Sequence, residues 1–318
     1  MEKLPERSSD KFRAYHLKLL DQLETSTQGE RNRARYELEL MRDSRFVKVG
    51  GLLHHYHDSG PDNPVGTVLL IHGWDCWWMW WHRIIRELNA AGYRTVAYDM
   101  KGHGWSENDP QNRYHITDFA RDLDELARTL DLQDFHVAAF SFGPFVALDY
   151  VNKYPNSVKS MVFFNFGYLP NSEFISKAAP TTINFVFNNL MRKLTWWLPA
   201  YMFGRLVLSR NSIMMHDIKV AFESLAFCAS EAIEQTTQQI TAMETTEMLP
   251  EMVRAVRVPI LFAAGEGDVI MTCDNARKLQ EMTPAGSYLC VPDCGHLITL
   301  ELPETAAEIV LGHIRSHS

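Results

Sequence analysis

From about Arg45 onward, short apolar runs alternate with longer stretches in which apolar positions recur every three or four residues. The runs are Thr67-Val68-Leu69-Leu70-Ile71, Arg94-Thr95-Val96-Ala97-Tyr98, Phe135-His136-Val137-Ala138-Ala139-Phe140, the segment 158–164, Val258-Pro259-Ile260-Leu261-Phe262-Ala263-Ala264, and the segment 288–291. Helical patterns over 82–91, over 117–130 and from Pro144 onward separate the first four. A strand that is apolar at successive positions is covered on both faces of its sheet, and strand–helix alternation makes that sheet parallel. The pattern predicts an α/β fold with a mostly parallel sheet and helices on both faces.

The alternation is interrupted once. Residues 168–249 carry helical patterns and no strand signal, so they read as an insertion between two parts of one core, 45–167 and 250–318. The first 44 residues hold nine Lys/Arg and nine Asp/Glu, with Phe12, Tyr15, Leu19, Leu20 and Leu23 at helical spacing and a break at Thr25-Ser26-Thr27-Gln28-Gly29. Two charged helices are expected there, either packed on the core or serving as an arm for a homodimer or another partner.

Composition narrows the function classes. A chain of 318 residues, 46% of them hydrophobic, can bury a large core, enough for one α/β domain with an insertion. A net charge of −8 provides no basic field for a phosphate backbone, which argues against a nucleic-acid partner. The most apolar stretch, 183–208, is broken by Arg192, Lys193, Pro199 and Arg205, so no transmembrane segment is expected. The first residues lack the apolar core of a secretory signal. Five cysteines (Cys76, Cys228, Cys273, Cys290 and Cys294) are scattered without a C-x-x-C pair. That spacing suggests neither a disulfide framework nor a zinc site, and points to a cytoplasmic protein with no metal or cofactor.

The candidate chemistry lies at the ends of the apolar runs. Ala139-Phe140-Ser141-Phe142-Gly143 joins a strand to a helix, the context of a nucleophile elbow, where small flanking residues let the backbones crowd together. Ile71-His72-Gly73-Trp74 ends the first long run and can present the Trp74 amide beside that of Phe142, a donor pair for a developing oxyanion. Gly265-Glu266-Gly267-Asp268 and Asp293-Cys294-Gly295-His296 follow later strands, placing a carboxylate and an imidazole at the same sheet edge.

With Asp99-Met100-Lys101-Gly102-His103-Gly104-Trp105-Ser106, these segments resemble the α/β-hydrolase superfamily over about 45–166 and 250–318. The resemblance implies Ser141 as nucleophile, His296 as base and Asp268 as its orienting acid, with Glu266, Asp293 and Asp274 as rivals. It also implies Trp74 and Phe142 as oxyanion donors and a structural role for the Asp99 turn. Ala139 stands where glycine is usual, and Pro144 suits a first helical turn, having no N–H to lose there. A serine at 141 excludes the aspartate-nucleophile branches, the epoxide hydrolases and haloalkane dehalogenases. Asn165 lies where some members carry an alternative acid and cannot be that acid.

All eight tryptophans fall at 74–81, 105 or 196–197, segments that the fold places at strand ends or in the insertion. They suggest an aromatic-lined substrate pocket formed by Trp77, Trp78, Trp105, Trp196 and Trp197; the alternative is that 77–81 begin a buried helix. The insertion, with Phe185, Phe187, Leu190 and Met191, looks like the helical lid of lipid- and acyl-directed members. The expected function is a serine hydrolase of carboxylic esters or thioesters with medium to long acyl chains. Two alternatives are an acyltransferase using the same acyl-enzyme, similar to those that make the lipid part of rhamnolipids, and a non-hydrolytic binding protein like the fold's hormone-receptor relatives.

Overall fold

In the computed structural model, residues 5–154, 157–170, 172–192 and 208–317 are described, apart from the side chain of Ile175. Their strands are β1 (Ser44–Val49), β2 (Leu52–Ser59), β3 (Thr67–Ile71), β4 (Arg94–Tyr98), β5 (Phe135–Phe140), β6 (Val158–Phe164), β7 (Ile260–Gly265) and β8 (Gly286–Val291). They form one sheet in the order β1-β2-β4-β3-β5-β6-β7-β8. The β1–β2 and β2–β4 pairs are antiparallel, and every pair from β4–β3 to β7–β8 is parallel. The six strands read from the sequence are all present. The β1–β2 hairpin is an addition to that reading.

Successive residues of the parallel strands serve opposite faces. Leu69, Ile71, Val137 and Phe163 join one apolar cluster, whereas Val68, Leu70, Ala138 and Phe164 join another. The first cluster is completed by α4 (Ile116–Thr129), α5 (Gly143–Lys153), α9 (Met243–Ala255) and α10 (Cys273–Met282). The second is completed by α3 (His82–Ala90), which packs against α12 (Pro303–Arg315). Burial on both faces is why these strands read as continuous apolar runs.

Between β6 and β7 the described chain is helical: α6 (Glu173–Asn184), a π-helical turn at Phe185–Met191, α7 (Met215–Phe227), α8 (Ser230–Thr241) and α9. No described helix is long and apolar enough to cross a membrane.

The charged N-terminal segment forms α1 (Asp10–Thr25) and α2 (Gln28–Leu40), each begun by a side-chain cap, from Ser9 and Thr27. Phe12, Tyr15 and Leu19, one helical stripe, are buried. Phe12 meets Trp105 edge to face at 4.9 Å between ring centroids, and Tyr15 meets Trp77 at 5.9 Å. Polar atoms at the same joint bind α1 and α2 to α7. The Tyr15 hydroxyl lies 2.5 Å from Glu37 Oε2 and 2.7 Å from Glu223 Oε2, while His216 Nε2 lies 2.9 Å from Glu37 Oε1. The apolar stripe of α1 is thus used within the chain. Phe12→Ala should lower unfolding free energy by about 3–5 kcal/mol, the usual cost of deleting a buried ring, as measured by denaturant titration. A change below about 1 kcal/mol would mean that α1 is only loosely attached.

The cysteine reading needs correction. Cys273, at the start of α10, and Cys290, on β8, are joined in a disulfide with Cα atoms 5.5 Å apart. The β7-α10-β8 crossover brings together two residues 17 apart in sequence, a proximity no local spacing rule reveals. Cys76, Cys228 and Cys294 are free and buried. Cysteine usage therefore no longer argues for a reducing compartment.

Candidate active site

Ser141 follows β5 directly and has φ of 54°, a left-handed conformation unusual for a residue with a side chain. Its amide donates to Phe164 O at 3.0 Å, which holds the turn against β6. Glycine is required two positions later, since a Cβ on Gly143 would lie 2.7 Å from Ile71 O and 2.8 Å from His72 O. No such clash constrains position 139, which is fully buried in β5 and accepts alanine. Pro144 occupies the first turn of α5, as the missing N–H allows.

Ser141 Oγ lies 3.2 Å from His296 Nε2, and His296 Nδ1 lies 2.8 Å from Asp268 Oδ2. The three residues come from loops after β5, β8 and β7, at the C-terminal edge of the parallel strands. Asp268 is buried, and burial pushes its pKa up. The hydrogen bond and charge of His296, the Met271 amide and the Asn165 amide outweigh that effect and hold the carboxyl below its ordinary value. A carboxylate only accepts, so Nδ1 of His296 carries the proton and Nε2 is left to accept one from Ser141. The rivals Glu266, Asp274 and Asp293 are exposed at the surface.

Two positioning residues escaped the sequence reading. Asn165, after β6, has φ of 51°, and its Nδ2 donates to Asp268 Oδ2 at 2.9 Å and to Gly295 O at 3.0 Å, bridging the acid loop and the histidine loop. Buried Glu301, in the short helix α11 (Ile298–Glu301), accepts from the amides of Gly295 (3.1 Å), Leu297 (3.0 Å), Arg210 (2.7 Å) and Asn211 (3.0 Å). It fixes the backbone on both sides of His296. The only sequence signal for either was Asn165's place at a strand end.

The Trp74 and Phe142 amides have no acceptor among the described residues, as a donor pair awaiting an oxyanion requires. Asp99 is fully buried. It accepts from the amides of Trp78 at 2.8 Å and Trp105 at 2.9 Å and pairs with His55 Nδ1 at 2.8 Å, so its turn is structural. Gly104, at φ of 48°, leaves room for it, because a Cβ there would lie 2.2 Å from Asp99 Cγ.

A cavity of about 380 Å³ opens beside Ser141 and His296. Trp74, Trp80, Phe187, Ile218 and Leu225 supply part of its wall, which is apolar except for a few groups. Three of the tryptophans expected to line it do not. Trp77, Trp78 and Trp105 are fully buried in the second cluster: Tyr15 packs on Trp77 and Phe12 on Trp105, while Trp78 stacks on His57 of β2 and packs against Trp105. Trp77–Trp81 thus follow the buried-helix alternative in all but Trp80. Trp196 and Trp197 lie outside the described residues.

Among the described residues one cluster has metal-ligand character, His82, His216 and Asp217. Its atoms already have partners. Asp217 Oδ1 lies 2.8 Å from His82 Nε2, the Tyr36 hydroxyl 2.8 Å from His82 Nδ1, and Arg83 3.2 Å from Asp217 Oδ2. With Glu37 on His216, the cluster is a hydrogen-bonded joint between α2, α3 and α7.

A sheet of this order, with serine, acid and histidine on the loops after β5, β7 and β8, defines an α/β hydrolase. The family model of the alpha/beta hydrolase fold matches residues 66–303, and the chain belongs to that family. Its sequence is 24% identical over 233 residues to 2-(acetamidomethylene)succinate hydrolase of Mesorhizobium japonicum, covering 70% of this chain and 78% of that one. The fold is similar to a bromoperoxidase from Bacillus anthracis, with a TM-score of 0.73 and 19% identity over 86% of this chain and 99% of that one. It is also similar to the esterase EaEST from Exiguobacterium antarcticum, with a TM-score of 0.72 and 17% identity over 85% and 98% of the two chains.

Proposed function

We propose that the protein is a serine hydrolase that cleaves carboxylic esters or thioesters of medium to long acyl chains through an acyl-enzyme on Ser141. The observation that carries this reading is the hydrogen-bonded chain Ser141–His296–Asp268 beside an apolar cavity. His296 Nε2 takes the hydroxyl proton as Ser141 Oγ attacks the carbonyl, and the Trp74 and Phe142 amides receive the charge that develops on its oxygen. Collapse of the adduct expels the alcohol or thiol, which leaves with the proton from His296. Water, deprotonated by the same nitrogen, then releases the carboxylic acid. Asp268 keeps the proton on Nδ1 and stabilises the imidazolium that forms in each half-reaction. Residues 168–249 act as a lid, whose Phe187, Met191 and Leu225 close the acyl pocket.

Two experiments test this. A fluorophosphonate probe should label Ser141, since it reacts with activated serines. Across a series of p-nitrophenyl esters, kcat/KM should climb from acetyl toward roughly eight to twelve carbons, each methylene adding up to about 0.8 kcal/mol until the pocket is full. A preference for acetyl over octanoyl esters would defeat the acyl-pocket reading.

A further inference from the structure

Asp75 follows the proposed oxyanion donor Trp74 and lines the same cavity as Ser141 and His296. It is only 8% exposed, and its Oδ1 has no hydrogen-bond partner among the described residues. A buried carboxyl oxygen left unmatched is costly and asks for an explanation. The other buried carboxylate with an oxygen lacking a hydrogen bond, Asp122, is ion-paired to Lys101 Nζ at 2.9 Å. Several indole N–H groups are unmatched too, but those of Trp78, Trp81 and Trp105 lie on residues that do not line the cavity, so an unmatched indole marks no ligand site here. Asp75 is different because it combines a carboxyl, burial and a position on the cavity wall.

The surroundings define what it can bind. Burial pushes the Asp75 pKa up to about 8, against the lowering effects of the Arg192 charge and of a hydrogen bond with the Cys228 thiol. Burial thus favours the protonated carboxyl, which can both donate and accept. The positive charge of Arg192 opposes a cationic ligand, and the apolar wall opposes an anionic one. A hydroxyl, neutral and also able to donate and accept, matches the group. Because Asp75 shares the cavity wall with Ser141, His296 and its neighbour Trp74, the hydroxyl it would meet is one on the acyl chain near its carbonyl end.

We propose that Asp75 is a specificity-determining residue that binds a hydroxyl on the acyl chain close to its carbonyl, making hydroxyacyl esters or thioesters the preferred substrates. This rests on the acyl pocket proposed above and narrows its substrate class.

Asp75 has φ of 52°, so the deletion variant must tolerate a left-handed backbone. Asp75→Gly does so and removes the carboxyl, while Asp75→Asn keeps a neutral donor and acceptor. Binding of methyl octanoate and of methyl 2-, 3- and 4-hydroxyoctanoate is measured by tryptophan fluorescence on Ser141→Ala protein, so that no ester is consumed. With Asp75 present, one hydroxy ester should bind about tenfold more tightly than methyl octanoate. Asp75→Asn should keep most of that preference and Asp75→Gly should abolish it. Equal binding of all four esters, or a preference unchanged by Asp75→Gly, overturns the proposal. Turnover of p-nitrophenyl octanoate by the native enzyme is measured separately, so failure of the hydrolase reading appears there and leaves the binding ratio to decide the role of Asp75.

Discussion

Replacing Ser141 by alanine should lower kcat for a p-nitrophenyl ester by about 10⁴- to 10⁶-fold, and His296→Ala should cost a comparable factor. The two act as one unit, with Ser141 Oγ 3.2 Å from His296 Nε2, so the double variant should be little worse than either single one. Neither change should unfold the protein. Ser141 is held in its left-handed turn by backbone packing around Gly143, and the histidine loop is braced through its amides by Glu301. Far-ultraviolet circular dichroism and a thermal melt establish folding before the rate is compared. A folded Ser141→Ala protein with near-native turnover would remove the serine from the mechanism.

Asp268→Asn should lower kcat by about 10³- to 10⁴-fold, whereas Glu266→Gln should change it less than about threefold. An asparagine at 268 can present an N–H where the carboxylate accepted one, which favours the tautomer with its proton on Nε2 and removes the base. The loss should therefore fall on kcat and leave KM nearly unchanged. Glu266 is exposed and has no contact with the imidazole. If Glu266→Gln is the more damaged variant, the acid has been assigned two residues too late.

The sequence showed the strands built from apolar runs and concealed the β1–β2 hairpin, which is not. β3 to β8 were legible as apolar runs, but β2 reads Leu-Leu-His-His-Tyr-His-Asp-Ser and carries no such signal. Its histidines are buried all the same. His55 pairs with Asp99 and with Ser44 Oγ at 3.0 Å, while His57 stacks on Trp78 at 4.6 Å and is pushed by burial to a pKa of about 3. Partners supplied by distant segments make polar residues acceptable inside a sheet, and no local pattern reveals them. The serine, acid and histidine were legible because each sits in a short motif whose shape depends on neighbours in sequence. Asn165 and Glu301 were not, since what they do depends on loops that only the assembled sheet brings together. The same reason explains why Trp77, Trp78 and Trp105 were misplaced. Whether they face a cavity or the core is decided by other segments: α1, whose Phe12 and Tyr15 pack on Trp105 and Trp77 from more than fifty residues upstream, and β2, whose His57 stacks on Trp78.

The claim on which the rest depends is that Ser141 carries the acyl group during turnover. It is tested by mixing enzyme with a stoichiometric excess of p-nitrophenyl octanoate, quenching in acid within milliseconds, digesting, and locating the octanoyl adduct by peptide mass spectrometry. The adduct should lie on the peptide bearing Ser141, form together with a burst of p-nitrophenol, and be absent from Ser141→Ala protein. Steady turnover with no adduct, or an adduct on another residue, would contradict the account.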